Sequence, residues 1–175
     1  MSTRINKIRI LLIAAILAAL SHTVSAQQTS GDVAAGFGIA YGFNIATDGE
    51  LGLDLNAYYA ITDGLRLGVD FIYYMLNDPQ FQDPRFFEVN VNTSYHFFNR
   101  EVLRMYVLLG MHYASFRYDR PVISPDSEES DSEYGLNIGA GIEFDYETII
   151  IFIEPKLTID GFDQPSITVG GRLPF

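Results

Sequence analysis

From Val33 to the last residue, apolar and polar side chains alternate with a period of two in eight successive segments. In the first, Val33, Ala35, Phe37, Ile39, Tyr41, Phe43 and Ile45 share one face, and Ala34, Gly36, Gly38, Ala40, Gly42 and Asn44 share the other. Helical packing needs apolar residues recurring at i, i+3 and i+4, which cannot sort the residues this way. The same alternation runs through 51–61, 65–75, 87–97, 103–113, 134–144, 149–157 and 167–175. Beyond residue 26 there is no run of about 18 apolar residues, so spanning helices are excluded there and strands are predicted.

The connections carry their own pattern. Thr62-Asp63-Gly64, Asn99-Arg100-Glu101 and Asp145-Tyr146-Glu147 are short and polar, as hairpin turns require. Asn77–Phe86, Asp119–Ser132 and Thr158–Pro165 are longer, and Ala46–Glu50 is an unusually short member of that second set. Short and long connections therefore alternate, as they do where one side of a barrel faces the periplasm and the other the exterior.

A closed barrel of alternating strands can point its apolar face inward, as a soluble lipocalin-type barrel does, or outward to lipid. The polar face here is rich in glycine and mixes Asp54, Asp70, Glu88, Glu143 and Glu154 with Arg66, Arg104, Lys156 and Arg172. Charges of both signs fit a narrow interior, where burial is tolerable only in pairs. On a soluble exterior the glycines would only weaken the strands. The apolar face of the eight segments carries no charge, and its aromatics gather near the strand ends: Tyr59, Tyr95, Phe97, Phe144 and Phe175 at the short-turn end, Phe43, Tyr73, Phe87, Tyr113 and Tyr134 at the other. Two such girdles about 25 Å apart suit the two interfaces of a bilayer. The predicted fold is all-β, an eight-stranded antiparallel up-and-down transmembrane β-barrel over 32–175, preceded by a short segment at 27–31.

Residues 1–26 have a different composition. Arg4, Lys7 and Arg9 precede an apolar run from Ile10 to Leu20, and Val24-Ser25-Ala26 supplies small residues for cleavage. That layout predicts a secretory signal peptide, with a run too short to span a membrane. Its removal takes three of the 11 basic residues and none of the 22 acidic ones, so the mature chain has a net charge of −14. Nucleic acid is excluded as a partner, because its phosphates require a basic surface. No cysteine is present, so neither disulfides nor a lipoprotein anchor is expected. At the other terminus, Thr168, Gly170, Leu173 and Phe175 fall at the spacing of an outer-membrane assembly signal, with Pro174 departing from the usual pattern.

With this ending, the mature chain resembles the small eight-stranded outer-membrane barrels of the OmpA, OmpX and opacity type. The resemblance implies an outer-membrane location, contact with its lipid and handling by the barrel-assembly machinery. The peptidoglycan-binding domain that OmpA-like proteins carry is not expected, because the chain ends with its last strand.

Candidate chemistry is sparse. The segment 125–133 carries Asp126, Glu128, Glu129, Asp131 and Glu133, an acidic outer loop that could hold Ca²⁺ through oxygen ligands or simply stay solvated. It lacks the glycine turn and terminal Glu of a calcium loop. His96 and His112 both fall on the lumen face, where a metal site or proton relay competes with simple hydrogen bonding. An outer-membrane lipid-modifying enzyme would need a nucleophile with a base in reach; Ser94 and His96 point into the lumen, and His112 and Ser115 differ in parity. No cofactor motif is present. The reading is a structural or surface-interaction protein, its lumen closed by a charged network and its loops free to meet an extracellular ligand, with a narrow passive pore as the alternative.

Overall fold

A computed structural model describes residues 29–45, 48–76, 82–119, 128–146 and 148–175. The predicted signal peptide at 1–26 lies outside the described residues. The eight alternating segments form β1 (Val33–Ile45), β2 (Asp48–Thr62), β3 (Leu65–Tyr74), β4 (Gln82–Asn99), β5 (Leu103–Asp119), β6 (Glu128–Asp145), β7 (Ile150–Ile159) and β8 (Pro165–Pro174). Each pairs antiparallel with its sequence neighbour, and β8 returns to β1, closing an eight-stranded barrel. Closure leaves the ring without an edge strand, which a strand structure in lipid requires.

The register keeps the two faces separate around the ring. Gly36, Asn56, Asp70, Asn90 and His112 follow one another across β1 to β5 on the lumen side. Phe37, Leu55, Phe71, Val89 and Tyr113 do the same outside. Of the outward residues, Phe37 is 72% exposed and Met111 66%, whereas Glu88, Asn90 and Glu143 are fully buried inside. Apolar groups this exposed are stable only against lipid.

Several expected positions need correction. β6 starts at Glu128 and β5 runs to Asp119, so Glu128, Glu129, Asp131 and Glu133 belong to a strand and not to a loop; Asp126 lies outside the described residues. Likewise β4 begins at Gln82, within the expected loop 77–86. In β1 a register shift between Phe43 and Ile45 turns Ile45 into the lumen, where it is 4% exposed, although its parity assigned it to lipid. A second shift between His96 and Phe98 leaves Phe97 unpaired, and Phe98 takes the outward place opposite Met105. Each bulge inserts one residue and so reverses the facing beyond it.

Pro155 stands in the interior of β7. It keeps its pairing with Ile167 of β8, but the β6–β7 register skips from Gly139–Lys156 to Ile142–Ile153. A proline has no N–H to give, so the ladder opens on the side its nitrogen faces.

Candidate functional site

The lumen is layered. In its short-turn half, Glu143 on β6 receives three arginines from three other strands. Arg66 Nη1 on β3 donates to both carboxylate oxygens at 2.7 and 2.9 Å, and Arg172 Nη1 on β8 donates to Oε1 at 2.7 Å. Arg104 Nε on β5 lies 3.3 Å from Oε2, and its Nη2 lies 3.0 Å from Asp145 at the rim. Arg66 also stands 3.9 Å above the Tyr58 ring, and Arg172 stands 3.7 Å above Phe152. The guanidinium planes are thus held by a carboxylate edge and an aromatic face, both suited to arginine. Tyr106 donates a short hydrogen bond to Glu154, whose other neighbour is Arg172 Nη2 at 3.8 Å.

The outer half of the lumen is built from amides. Asn137 Nδ2 donates to Asn90 Oδ1 at 2.7 Å and to Asn92 Oδ1 at 3.1 Å, while its own Oδ1 accepts from Thr158 at 2.9 Å. His112 Nδ1 lies 2.8 Å from Asn90 Oδ1 and 4.0 Å from Glu88, which accepts a short bond from Gln164. Lys156 Nζ pairs with Asp70 at 3.2 Å. Between the two halves lies a cavity of about 40 Å³, lined among others by Asp54, Asp70, Ser94, Glu154 and Thr168.

Of the nine charged lumen residues expected from sequence, the structure joins Arg66, Arg104, Arg172, Glu143 and Glu154 into one group and Lys156 with Asp70 into another. Asp54 and Glu88 make no ion pair with an arginine or lysine among the described residues. His96 and His112 do not meet. His96 lies 3.8 Å from Glu143, against the Tyr106 ring, and pairs in register six residues along β4 from the Asn90–His112 pair, about 20 Å away. Ser115 is hydrogen-bonded to Ser132 at 3.2 Å, and His112 is engaged with Asn90.

The sequence reading missed an apolar cap. Ala40, Ile45, Ile72, Tyr74, Phe86 and Ala114 form a buried cluster at the outer mouth, with Leu76, Phe116 and Phe162 against it. Phe162 reaches it because the β7–β8 turn holds Asp160, Phe162 and Asp163 at φ 64°, 59° and 25°. Side chains rarely adopt that region, so the turn must be held from outside. It is: Phe162 N–H donates to Glu133 at 2.8 Å and Gln164 reaches down to Glu88, while Asp160 N–H to Asp163 Oδ1 at 2.7 Å ties the turn within itself. The available signal was the large apolar residues Ile72, Tyr74 and Phe86 at lumen parity.

Above the cap the barrel is lopsided. β4, β5 and β6 have 18, 17 and 18 residues, against 10 each for β3, β7 and β8. β6 residues 128–135 have partners on β5 but none on β7. At ~3.3 Å per residue and a tilt of about 40°, the β5–β6 pair stands roughly 15–20 Å above β7, with β4 paired alongside β5 as far as Gln82 and Asp119. Below it Phe87, Tyr113 and Tyr134 form a continuous outward aromatic row, with ring centroids 6.3 and 5.0 Å apart.

The comparisons agree with this architecture. Residues 10–150 match the family described as outer membrane protein beta-barrel domain. No curated protein matches the chain. Among solved structures, OprG from Pseudomonas aeruginosa is similar with a TM-score of 0.67 at 12% identity, over 85% of this chain and 97% of that one. The N-terminal β-barrel domain of Pseudomonas aeruginosa OprF has a TM-score of 0.61 at 20% identity, over 85% and 100%. The attachment invasion locus protein Ail of Yersinia pestis has 0.60 at 17%, over 84% and 100%. At these identities the likeness is one of fold.

Proposed function

Because the chain belongs to the outer membrane protein β-barrel domain family, we propose that it serves the outer membrane as a closed barrel whose projecting β5–β6 pair meets an extracellular partner. The observation that carries this reading is the height of that pair, which neither lipid contact nor barrel closure requires. Its residues between 119 and 133 include Asp119, Asp126, Glu128, Glu129, Asp131 and Glu133 against the single Arg120. A surface so acidic repels polyanions and favours a basic or neutral partner. In the same reading, residues 1–26 are removed on export, and Thr168, Gly170, Leu173 and Phe175 are read by the assembly machinery. The charged lumen network holds the barrel shut.

The test is to replace residues 117–130 by a short turn and display both forms on cells. The shortened form is expected to assemble at normal levels and to lose binding to matrix or serum proteins. Unchanged binding would remove the assignment of the β5–β6 pair. A second reading, a narrow passive pore, draws on the lumen cavity. Single-channel recording in planar bilayers separates the two, since the closed barrel gives no steady conductance.

A further inference from the structure

Eight basic residues follow residue 26, and four of them, Arg66, Arg104, Lys156 and Arg172, are buried in the lumen. Arg100 lies at the short-turn rim, near the Phe98 ring. The remaining three, Arg85, Arg117 and Arg120, come at the outer end of β4 and β5; Arg120 lies outside the described residues. Arg85 and Arg117 are directly opposite in the β4–β5 register, and Ser130 of β6 continues their row. They share the outward parity of Phe87 and Tyr113, and both are exposed. Like charges opposed on a sheet face repel one another, and an anion between them removes that cost. The row beneath is Phe87, Ser115 and Ser132, in which Ser132 donates to Ser115 at 3.2 Å and accepts from the Tyr113 hydroxyl at 3.3 Å. Phe71, Phe87, Tyr113 and Tyr134 form the outward aromatic row, with centroids 5.9, 6.3 and 5.0 Å apart. Such rings mark the edge of the hydrocarbon. Two residues further along a tilted strand, about 5 Å, bring Arg85 and Arg117 to the level of the lipid headgroups.

We propose that Arg85 and Arg117 together bind the phosphate of a phosphorylated glycolipid in the outer leaflet, whose acyl chains lie along the aromatic row. Guanidinium forks match phosphate oxygens in geometry and charge. Ser130 and Ser132 present hydroxyls on the same face for the remaining phosphate or sugar oxygens. Each arginine has contacts of its own, and Asp83 and Asp119 lie two positions away in sequence. With five N–H donors, a guanidinium serves such a contact and a phosphate at once. The neighbouring acids also decide the source of the anion. A soluble phosphate would have to approach through the negative field of the segment 119–133, whereas a headgroup reaches the pair from the membrane side. The site is separate from the partner role of the β5–β6 tip and can fail without it.

The experiment uses the full mature chain refolded into phosphatidylcholine vesicles that contain a small share of one test lipid: lipid A, lipid A stripped of its phosphates, or phosphatidylglycerol. The vesicles are dissolved in mild detergent, and the lipid kept by the barrel is weighed by native mass spectrometry. The wild type is expected to keep lipid A and to release the other two. Arg85→Gln and Arg117→Gln are each expected to weaken retention about tenfold or more, the usual worth of hydrogen bonds to a charged group. Arg100→Gln at the opposite rim is expected to retain lipid A as the wild type does. Neither substitution touches residues 118–130, so partner binding by the tip can be followed on the same variants. Heat-modifiable gel mobility shows that each variant is folded, and the comparison of three lipids on the wild type stands even if a variant is not. Equal retention of lipid A with and without phosphates, or of phosphatidylglycerol, would overturn the proposal. So would a double variant that keeps lipid A unchanged. Displacement of lipid A by inorganic phosphate would assign the pair to a soluble anion and overturn the lipid assignment.

Discussion

Arg66 and Glu143 are 77 residues apart in sequence, yet a single guanidinium nitrogen of Arg66 donates to both oxygens of the Glu143 carboxylate, at 2.7 and 2.9 Å. The contact crosses the lumen from β3 to β6, and Arg172 adds β8 to it. Three strands that never pair with one another are therefore tied through one carboxylate. Glu143→Gln leaves Arg66, Arg104 and Arg172 buried around a neutral group. Breaking a buried pair by removing one partner costs about 3–5 kcal/mol. Urea unfolding from lipid vesicles checks this, with Asp63→Asn in the exposed β2–β3 turn as the reference. That change is expected to stay within about 0.5 kcal/mol.

The outward facing of β3 predicts a sharp contrast between two adjacent residues. Val69 is 51% exposed on the lipid side, near the middle of its strand. Val69→Arg places a charge near the bilayer midplane and is expected to cost about 2–4 kcal/mol. Gly68 faces the lumen, and a Cβ there would meet nothing nearer than 3.5 Å. Gly68→Ala should therefore cost clearly less. The reverse ranking in refolding experiments would mean that the two faces have been exchanged.

These facings were legible because lipid accepts no charge, and a period of two leaves each residue only two places to go. Leu55, Val69 and Leu109 could be assigned outward from sequence for that reason. Ile45 and Phe97 could not, because a bulge adds one residue without any mark in composition. The ion-pair membership was partly legible: parity brought Arg66, Arg104, Arg172 and Glu143 to one face. That they converge, and that Asp54 does not join them, depends on the register around the ring. Least legible was the apolar cap. Ile72, Tyr74 and Phe86 break the polar pattern at lumen parity, but the left-handed turn that sends Phe162 over them is a tertiary result, held by Glu133 from a different strand.

Glycines in the lumen are not equivalent, and Gly141 is the counterpart of Gly68. A Cβ built on Gly141 would overlap the ring of Tyr106, which lies across from it on β5. Tyr106 is held in place by its hydrogen bond to Glu154, so the ring has little freedom to withdraw. Gly141→Ala is expected to cost about 1–3 kcal/mol through overpacking. Combining it with Tyr106→Leu should recover part of that loss. A double-mutant cycle on urea midpoints measures the coupling, and additive costs would show that the two side chains do not compete for the same space.

Phe175 closes the seam as well as carrying the expected assembly signal. Its N–H donates to Val33 O at 2.8 Å, one step beyond the last β8–β1 pair at Pro174 and Ala34. Successive amides on a strand point to opposite sides. The nitrogen of Pro174 therefore faces β7, whose pairing with β8 already stops at Ile150 and Arg172. The proline removes a donor that had no acceptor, and the terminal aromatic keeps the one that matters. Deleting Phe175 takes away that bond together with an outward ring that is 81% exposed. The loss of one hydrogen bond amounts to only about 0.5–1.5 kcal/mol. The purified variant should accordingly still refold in detergent, with a small drop in its urea midpoint. In cells, its yield of folded, heat-modifiable protein in the outer membrane should fall far more than that midpoint implies. Equal losses in detergent and in cells would leave Phe175 a purely structural residue.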